Sequence, residues 1–291
     1  MTVSNDDPTL SIERPALYIV ATPIGNLTDI SARALEVLAG VDLLFVEDKR
    51  VSGKLLQRYG LKTTMQVVHD HNEREIADHL VENLIQNSLS AAQISDAGTP
   101  LISDPGYSLV RAALKCGLKV HPIPGPCAAI SALSVSGLPS NQFLFIGFLN
   151  AKPKTKTREL AALRGESRTL IFYEAPHRVK NTLEALAETL GEQRQAMIGR
   201  ELTKRYETLY HGTLAELLAI ALQDANMEKG EIVIVVAGAV KNNLAEAEAA
   251  RTTLAVLLSE LPVSQAVRLT ANITGAKKNL LYQWANEDTP E

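Results

Sequence analysis

Short apolar runs alternate with longer stretches in which apolar residues return every three or four positions, and this alternation holds over most of the chain. Leu17 to Ala21 (LYIVA) predicts a first strand. Ile30, Ala34, Val37 and Leu38 then share one helical face, closed by Gly40. Leu43 to Val46 predicts a second strand, followed by a short helix ending at Gly60 with Ser52 as its candidate cap. Val67 to His69 is a candidate third strand, and Asn72 opens a helix that turns Ile76, Leu80 and Leu84 inward. Ala91 to Ser95 reads as a strand, Tyr107 to Lys115 as a helix stopped by Gly117, and Lys119 to Ile123 as a strand. Strands separated by helices at this spacing predict a parallel or mostly parallel sheet covered on both faces.

Around Gly137 to Ser140 (GLPS) the punctuation changes and a second series begins. It runs through a strand at Phe143 to Phe148, a helix, a strand at Leu170 to Tyr173, a helix at Val179 to Leu190 and a strand at Ala196 to Gly199. Tyr206 to His211 and Ile232 to Val236 flank a helix from Leu214 to Leu222, with Glu207 to His211 suited to one arm of an antiparallel hairpin. From Asn243 the chain is Ala/Leu-rich and helical; Ser264 to Ile273, Gly275, and Ala276 to Ala285 read as helix, turn, helix. The expected organisation is a tail (1–15), two α/β domains (16–138 and 139–240) and a C-terminal helical segment (241–291). Trp284 belongs to that segment's core.

Composition narrows the class. At 291 residues and 46% hydrophobic the chain has ample core and is not a disordered one. No run approaches the roughly 18 to 20 apolar residues needed to span a bilayer. The start, MTVSNDDPTLSIERP, is acidic and lacks the basic-then-apolar order of a signal peptide, so a cytoplasmic location is expected. Cys116 and Cys127 are too few for a disulfide framework or a zinc site, and His69 and His71 lack a third partner, so no metal is expected.

The chemistry is expected in the loops that follow strands, where open α/β sheets bind ligands. Three are rich in Gly and Pro: Ala21 to Asn26 (ATPIGN), Asp96 to Gly106 (DAGTPLISDPG) and Pro124 to Ala128 (PGPCA). They would converge on one cleft. The chain has neither the G-x-G-x-x-G dinucleotide fingerprint nor a P-loop. Glycines that admit a ligand to the backbone, prolines that leave carbonyls unpaired, and apolar neighbours such as Ile102 and Ala128 suit an adenine and a sulfonium better than a row of phosphates.

Thr22 to Leu27 (TPIGNL), Ser95 to Gly106 (SDAGTPLISDPG), Pro124-Gly125-Pro126 and Ser134 to Pro139 (SVSGLP) together resemble the tetrapyrrole methylase superfamily. Phe172 to Arg178 (FYEAPHR), Arg200 to Lys204 (RELTK) and Lys229-Gly230-Glu231 resemble, within it, the ribosomal RNA small subunit methyltransferase group; the likeness covers Ala16 to Trp284. The resemblance implies a homodimeric, S-adenosylmethionine-dependent enzyme that methylates the ribose 2′-oxygen of a cytidine in the decoding region of 16S rRNA in the 30S subunit. It implies a cofactor cleft between the two α/β domains. Carried over by position, its cofactor contacts fall on Pro23, Asp96, Ala97, Gly98, Thr99, Ile102, Cys127, Ala128, Tyr173, Glu174, Gly212 and Thr213. Two positions depart from the pattern. Glu47-Asp48-Lys49-Arg50 stands where relatives of this group read Glu-Asp-Thr-Arg. Gly98-Thr99-Pro100 stands where tetrapyrrole relatives carry Gly-Asp-Pro, which weighs against a porphyrin substrate.

Removing the hydroxyl proton needs a base, and Asp104, with Asp48 and Asp96 behind it, is the carboxylate near these loops. Each has a structural alternative: Asp96 and Asp104 as turn caps, Asp48 as a partner of Lys49 or Arg50. A net charge of −4 counts against nucleic acid until it is divided along the chain: residues 150–205 hold 12 Lys and Arg against 7 Glu. Lys152, Lys154, Lys156 and Arg158 there form a candidate mobile phosphate-contacting loop, and Lys277 and Lys278 a second basic point. A cofactor-binding module without catalysis, and a methyltransferase of the same fold acting on a small molecule or protein, remain the alternative readings.

Overall fold

The computed structural model describes residues 11–69, 71–240 and 243–287, arranged in two compact units spanning residues 1–239 and 240–291. Most of the expected tail, together with Asp70, lies outside the described residues. The first unit holds two α/β layers. The first layer runs β1 (Ala16–Val20), α1 (Ala32–Gly40), β2 (Leu43–Val46), α2 (Lys49–Arg58), β3 (Thr64–Val67), α3 (Glu73–Gln86), β4 (Ser90–Gln93), α4 (Tyr107–Lys115), β5 (Lys119–Ile123) and α5 (Ala128–Val135). Its five strands are all parallel, in the order β3-β2-β4-β1-β5.

The strand period of two explains how the helices cover it. Ala16, Tyr18 and Val20 point into a core with α1 and α2, while Leu17 points into another with α3 and α4. Phe45 and its neighbours Leu44 and Val46 divide in the same way. Apolar residues on both faces are what a doubly covered parallel sheet requires.

The second layer comprises β6 (Phe143–Phe148), α6 (Pro153–Ala162), β7 (Thr169–Glu174), α7 (Val179–Leu190), β8 (Gln195–Arg200), β9 (Thr208–Thr213), α8 (Leu214–Gln223) and β10 (Ile232–Val236). The order is β6-β7-β10-β8-β9; only β6 and β7 are parallel, and β8 and β9 form the antiparallel arm expected from Glu207 to His211. Leu170, Phe172, Ile232, Ile234 and Val236 face α7 and α8. Ile171, Val233 and Val235 face the other way, onto Ala129, Ala132 and Leu133 of α5 and onto Ile24 of the first loop. One core therefore joins the two layers.

Several local expectations change. Asp48, not Ser52, caps α2, its Oδ1 accepting the Arg50 N–H at 2.7 Å, while Ser52 is buried inside the helix. The third strand lies earlier than Val67 to His69. α5 carries no amphipathic signal in the sequence, because small and apolar residues lie on every face. Residues 152–158 are not a loop: Pro153 opens α6, where proline's fixed φ is tolerated.

The second unit consists of α9 (Asn243–Leu258), α10 (Val263–Thr274) and α11 (Lys278–Glu287). Ala250, Leu254, Ala266, Val267, Leu281 and Trp284 form its core, and the Arg251 guanidinium lies 5.0 Å from the centre of the Trp284 ring. Gly275 ends α10 in the left-handed conformation.

A buried carboxylate holds the long loop between β4 and α4. Glu73, in the first turn of α3, accepts the Gly106 N–H at 3.0 Å and the Leu109 N–H at 2.9 Å, satisfying donors at the start of α4. Glu73→Ala is expected to lower unfolding free energy by about 2 kcal/mol, the scale of leaving buried donors unmade. Denaturant melts check this; an unchanged midpoint contradicts it.

Candidate active site

The three Gly/Pro-rich loops do converge, and backbone hydrogen bonds lock them together. Thr22 and Gly98 exchange N–H···O bonds of 2.8 and 3.1 Å, tying the first loop to the second. The Thr99 hydroxyl donates to the Pro126 carbonyl at 3.0 Å, tying the second to the third. Gly98 sits at φ +84, a conformation that favours glycine. Gly25 is needed for close approach: a Cβ there would lie 2.8 Å from Thr203 Oγ1 and 3.0 Å from the Leu202 carbonyl oxygen.

Together with the second layer these loops enclose a cavity of about 420 Å³, a size suited to a small ligand. Asp96 to Thr99, Ile102 to Asp104, Cys127 and Ala128 line one side. Tyr173, Glu174, Ala175, Pro176 and Phe148 line the other. Four of the five non-glycine residues with positive φ among the described residues, Leu101, Ser103, Glu201 and Thr203, lie in the loops around this cavity. Strain gathered in this way marks functional sites more often than packing ones.

Tyr173 marks the seam between the layers. Its hydroxyl oxygen accepts the Ala129 N–H at 3.1 Å, and its ring meets Phe145 and Phe148 edge-on at 5.0 and 5.7 Å. Burial, with smaller contributions from Cys127 and Asp104, pushes its phenol pKa up, so it works as a neutral group. Asp96 accepts the Asp48 N–H at 3.2 Å. Partial burial, and then the Asp48 charge, hold its carboxyl above the ordinary value.

Among the residues expected from sequence, Asp96, Ala97, Gly98, Thr99, Ile102, Asp104, Cys127, Ala128, Tyr173 and Glu174 all line the cavity. Others lie outside that lining. Pro23 is buried between Thr22 and Ile24, and Ile24 reaches the cavity instead. Gly212 and Thr213 do not line it; Thr213 caps α8 in a reciprocal capping box with Glu216. Asp48 does not line it either. Its carboxylate caps α2 and pairs with Arg50 at 2.7 Å, which lowers its pKa to about 2. Lys156 is no mobile phosphate contact: it is buried, and its Nζ donates to Thr182 Oγ1 at 2.9 Å. Lys152, Lys154 and Arg158 are exposed around α6, and Lys277 and Lys278 are exposed near the start of α11.

Sequence reasoning missed Glu47, Ser103, Phe148, Gly199, Leu202 and the run Glu231 to Val233. The last has a clear cause. β10 runs antiparallel to β7 and β8, pairing Ile232 with Glu174 and Arg200, so its beginning lies at the same sheet edge as their ends. A search confined to carboxyl ends passes over it. No group of three or more metal-ligating side chains is present among the described residues.

The apolar walls, glycine backbone and flanking carboxylates suit a nucleoside carrying a cationic chain. The comparisons agree with that class: residues 16–218 match the model of the Tetrapyrrole (Corrin/Porphyrin) Methylases, and the chain belongs to this family of methyltransferases. Residues 244–288 match the RsmI C-terminal HTH domain. More narrowly, the chain is a member of the ribosomal RNA small subunit methyltransferase I group. It is 51% identical over 273 residues to the protein of that name from Escherichia coli O157:H7, covering 93% of this chain and 94% of that one. It is 49% identical over 289 residues to the Vibrio cholerae serotype O1 protein of the same name, covering 98% and 99%. The fold also matches uroporphyrin-III C-methyltransferase from Thermus thermophilus, solved with S-adenosyl homocysteine. There the TM-score is 0.53 and the identity 17%, with 76% of this chain and 96% of that one covered.

Gly98→Ala forces a side chain into φ +84 with its Cβ 3.4 Å from Ile24 Cγ2. It is expected to cost about 1 to 2 kcal/mol and to weaken S-adenosylhomocysteine binding in calorimetry. Gly53→Ala in α2, where the added carbon meets nothing within 4 Å, is the control and is expected to stabilise slightly. Equal behaviour of the two variants would refute the assignment.

Proposed function

We propose that this protein transfers the methyl group of S-adenosylmethionine to the ribose 2′-oxygen of a cytidine in the decoding region of 16S rRNA. It acts in the cytoplasm, as a homodimer, on the 30S subunit. The observation that carries this reading is the conjunction of near-half identity over almost the whole chain with relatives named ribosomal RNA small subunit methyltransferase I and a cavity of suitable size and lining at the junction of the two layers.

S-adenosylmethionine supplies an electrophilic methyl group. The protein's residues have to hold the donor, place the acceptor in line and take up the hydroxyl proton. Gly98, Ile102, Ala128 and Val233 bound the space for the nucleoside, and the Asp96 carboxylate favours a cationic centre. Asp104 takes the ribose proton in this reading. Positioning supplies most of the acceleration and the base a further factor of about 10² to 10⁴. RNA phosphates meet the exposed Lys152 just before α6, Lys154 and Arg158 within it, and Lys277 and Lys278 of the C-terminal unit.

Labelled methyl transfer to 30S subunits, naked 16S RNA and protein, run in parallel, tests the reaction. The label is expected in RNA, at a linkage made resistant to alkali because its 2′-oxygen is blocked. Label on a base or on protein contradicts the reading. Asp104→Asn is expected to lower kcat by about 10²- to 10⁴-fold with donor affinity retained; near-normal turnover removes Asp104 as the base.

Replacing Lys152, Lys154 and Arg158 with Gln is expected to reduce the salt dependence of RNA binding by roughly one unit of slope per lost phosphate contact. An unchanged slope takes α6 out of the RNA interface.

A further inference from the structure

Lys156 stands apart from the other cations of α6. Lys152, Lys154 and Arg158 are exposed, whereas Lys156 is 7% exposed and turns inward. Its Nζ donates to Thr182 Oγ1 at 2.9 Å, and that hydroxyl, wholly buried on α7, donates to Glu174 Oε2 at 2.5 Å. A single hydroxyl accepts from the ammonium and donates to the carboxylate, so it relays the cation's orientation to Glu174. The other carboxylate oxygen is also occupied: Glu174 Oε1 accepts the Ala175 N–H at 2.8 Å and lies 3.2 Å from Arg178 Nε. Arg178 in turn donates from Nη2 to the Leu149 carbonyl at 2.6 Å. Both oxygens of Glu174 are engaged, which leaves it poorly suited to abstract a proton and well suited to fix the turn after β7.

That turn is a wall of the cavity, contributed by Glu174, Ala175 and Pro176. Burial pushes the Lys156 pKa down, and the field of Glu174 works against the shift. A cation kept out of water beside a carboxylate needs a compensating arrangement, and the Thr182 relay provides it.

We propose that Lys156 is a positioning residue for the methyl-donor cavity, holding the Glu174-Ala175-Pro176 wall in place through the Thr182 hydroxyl rather than contacting RNA. The inference rests on the reading of this cavity as the S-adenosylmethionine site.

The test compares full-length wild-type protein with Lys156→Met, Lys156→Arg and the near-isosteric Thr182→Val. Calorimetry reads S-adenosylhomocysteine affinity, steady-state kinetics separate KM for the donor from kcat, and filter binding across a salt series reads RNA affinity. Lys156→Met and Thr182→Val are expected to weaken S-adenosylhomocysteine and raise the donor KM about tenfold, the scale of losing one hydrogen bond to a charged group. RNA affinity and its salt slope are expected to stay unchanged, and Lys156→Arg is expected to restore most of the donor affinity. Thr182→Val carries the comparison if the methionine variant does not fold. Wild-type donor affinity in Thr182→Val, or a loss of RNA affinity with about one unit of salt slope in Lys156→Met, overturns the proposal. Failure of the wild type itself to bind S-adenosylhomocysteine overturns the reading of the cavity instead.

Discussion

The outward face of β7 and β10 governs the geometry of everything around the cavity. Alternation along these strands sends Phe172, Ile232 and Ile234 into the core of their own layer and Ile171, Val233 and Val235 toward the other. The second set is covered by α5 and by Ile24 from the first loop, not by a helix of its own layer. Apolar burial on this scale is the strongest force available to fix two sheets against each other. Where α5 begins, the coverage stops. The cavity occupies that margin, bounded by Cys127 and Ala128 at the head of α5 and by Tyr173 and Val233 from the strands. The hydrogen bond from the Ala129 N–H to Tyr173 crosses the same boundary.

Because the cavity lies at a junction, its shape depends on several short ties and not on one rigid element. Thr22 with Gly98, Thr99 with Pro126, and Asn26 with Thr203 at 3.1 Å each bind one loop to another. The left-handed conformations at Leu101, Ser103, Glu201 and Thr203 lie in these same tied loops. Charge is distributed to match. Lys204 pairs with Glu201 at 2.9 Å and with Glu231 at 3.1 Å beside the cavity, and Arg178 pairs with Glu174 behind its wall. The exposed cations of α6 lie in the segment where the sequence concentrates positive charge, so an acidic protein carries a local surface suited to phosphates.

Much of this was legible in the chain. Alternation and helical periodicity marked most strands and helices of both layers, and the three Gly/Pro loops marked one side of the cavity. What escaped had physical reasons. α5 is small and apolar around its circumference, so no period announced a helix that turns out to join the layers. The second layer's contribution at Glu231 to Val233 comes from the start of an antiparallel strand, which a rule written for parallel sheets does not search. Lys156 looked like its neighbours Lys154 and Arg158 because alternation in a supposed loop says nothing about direction. Once Pro153 opens a helix, those positions fall on different faces and one of them is buried. Asp48 and Thr213 carried the residue types of a site but were engaged as helix caps.

The central claim is that the junction of the two layers is the methyl-donor site. A crystal structure of the full-length protein with S-adenosylhomocysteine tests it most directly. The account predicts the ligand in the cavity, its nucleoside against Gly98 and Ala128 and within contact of Tyr173, with the loops where they stand now. Ligand bound elsewhere on the protein, with this cavity holding only solvent, would contradict it.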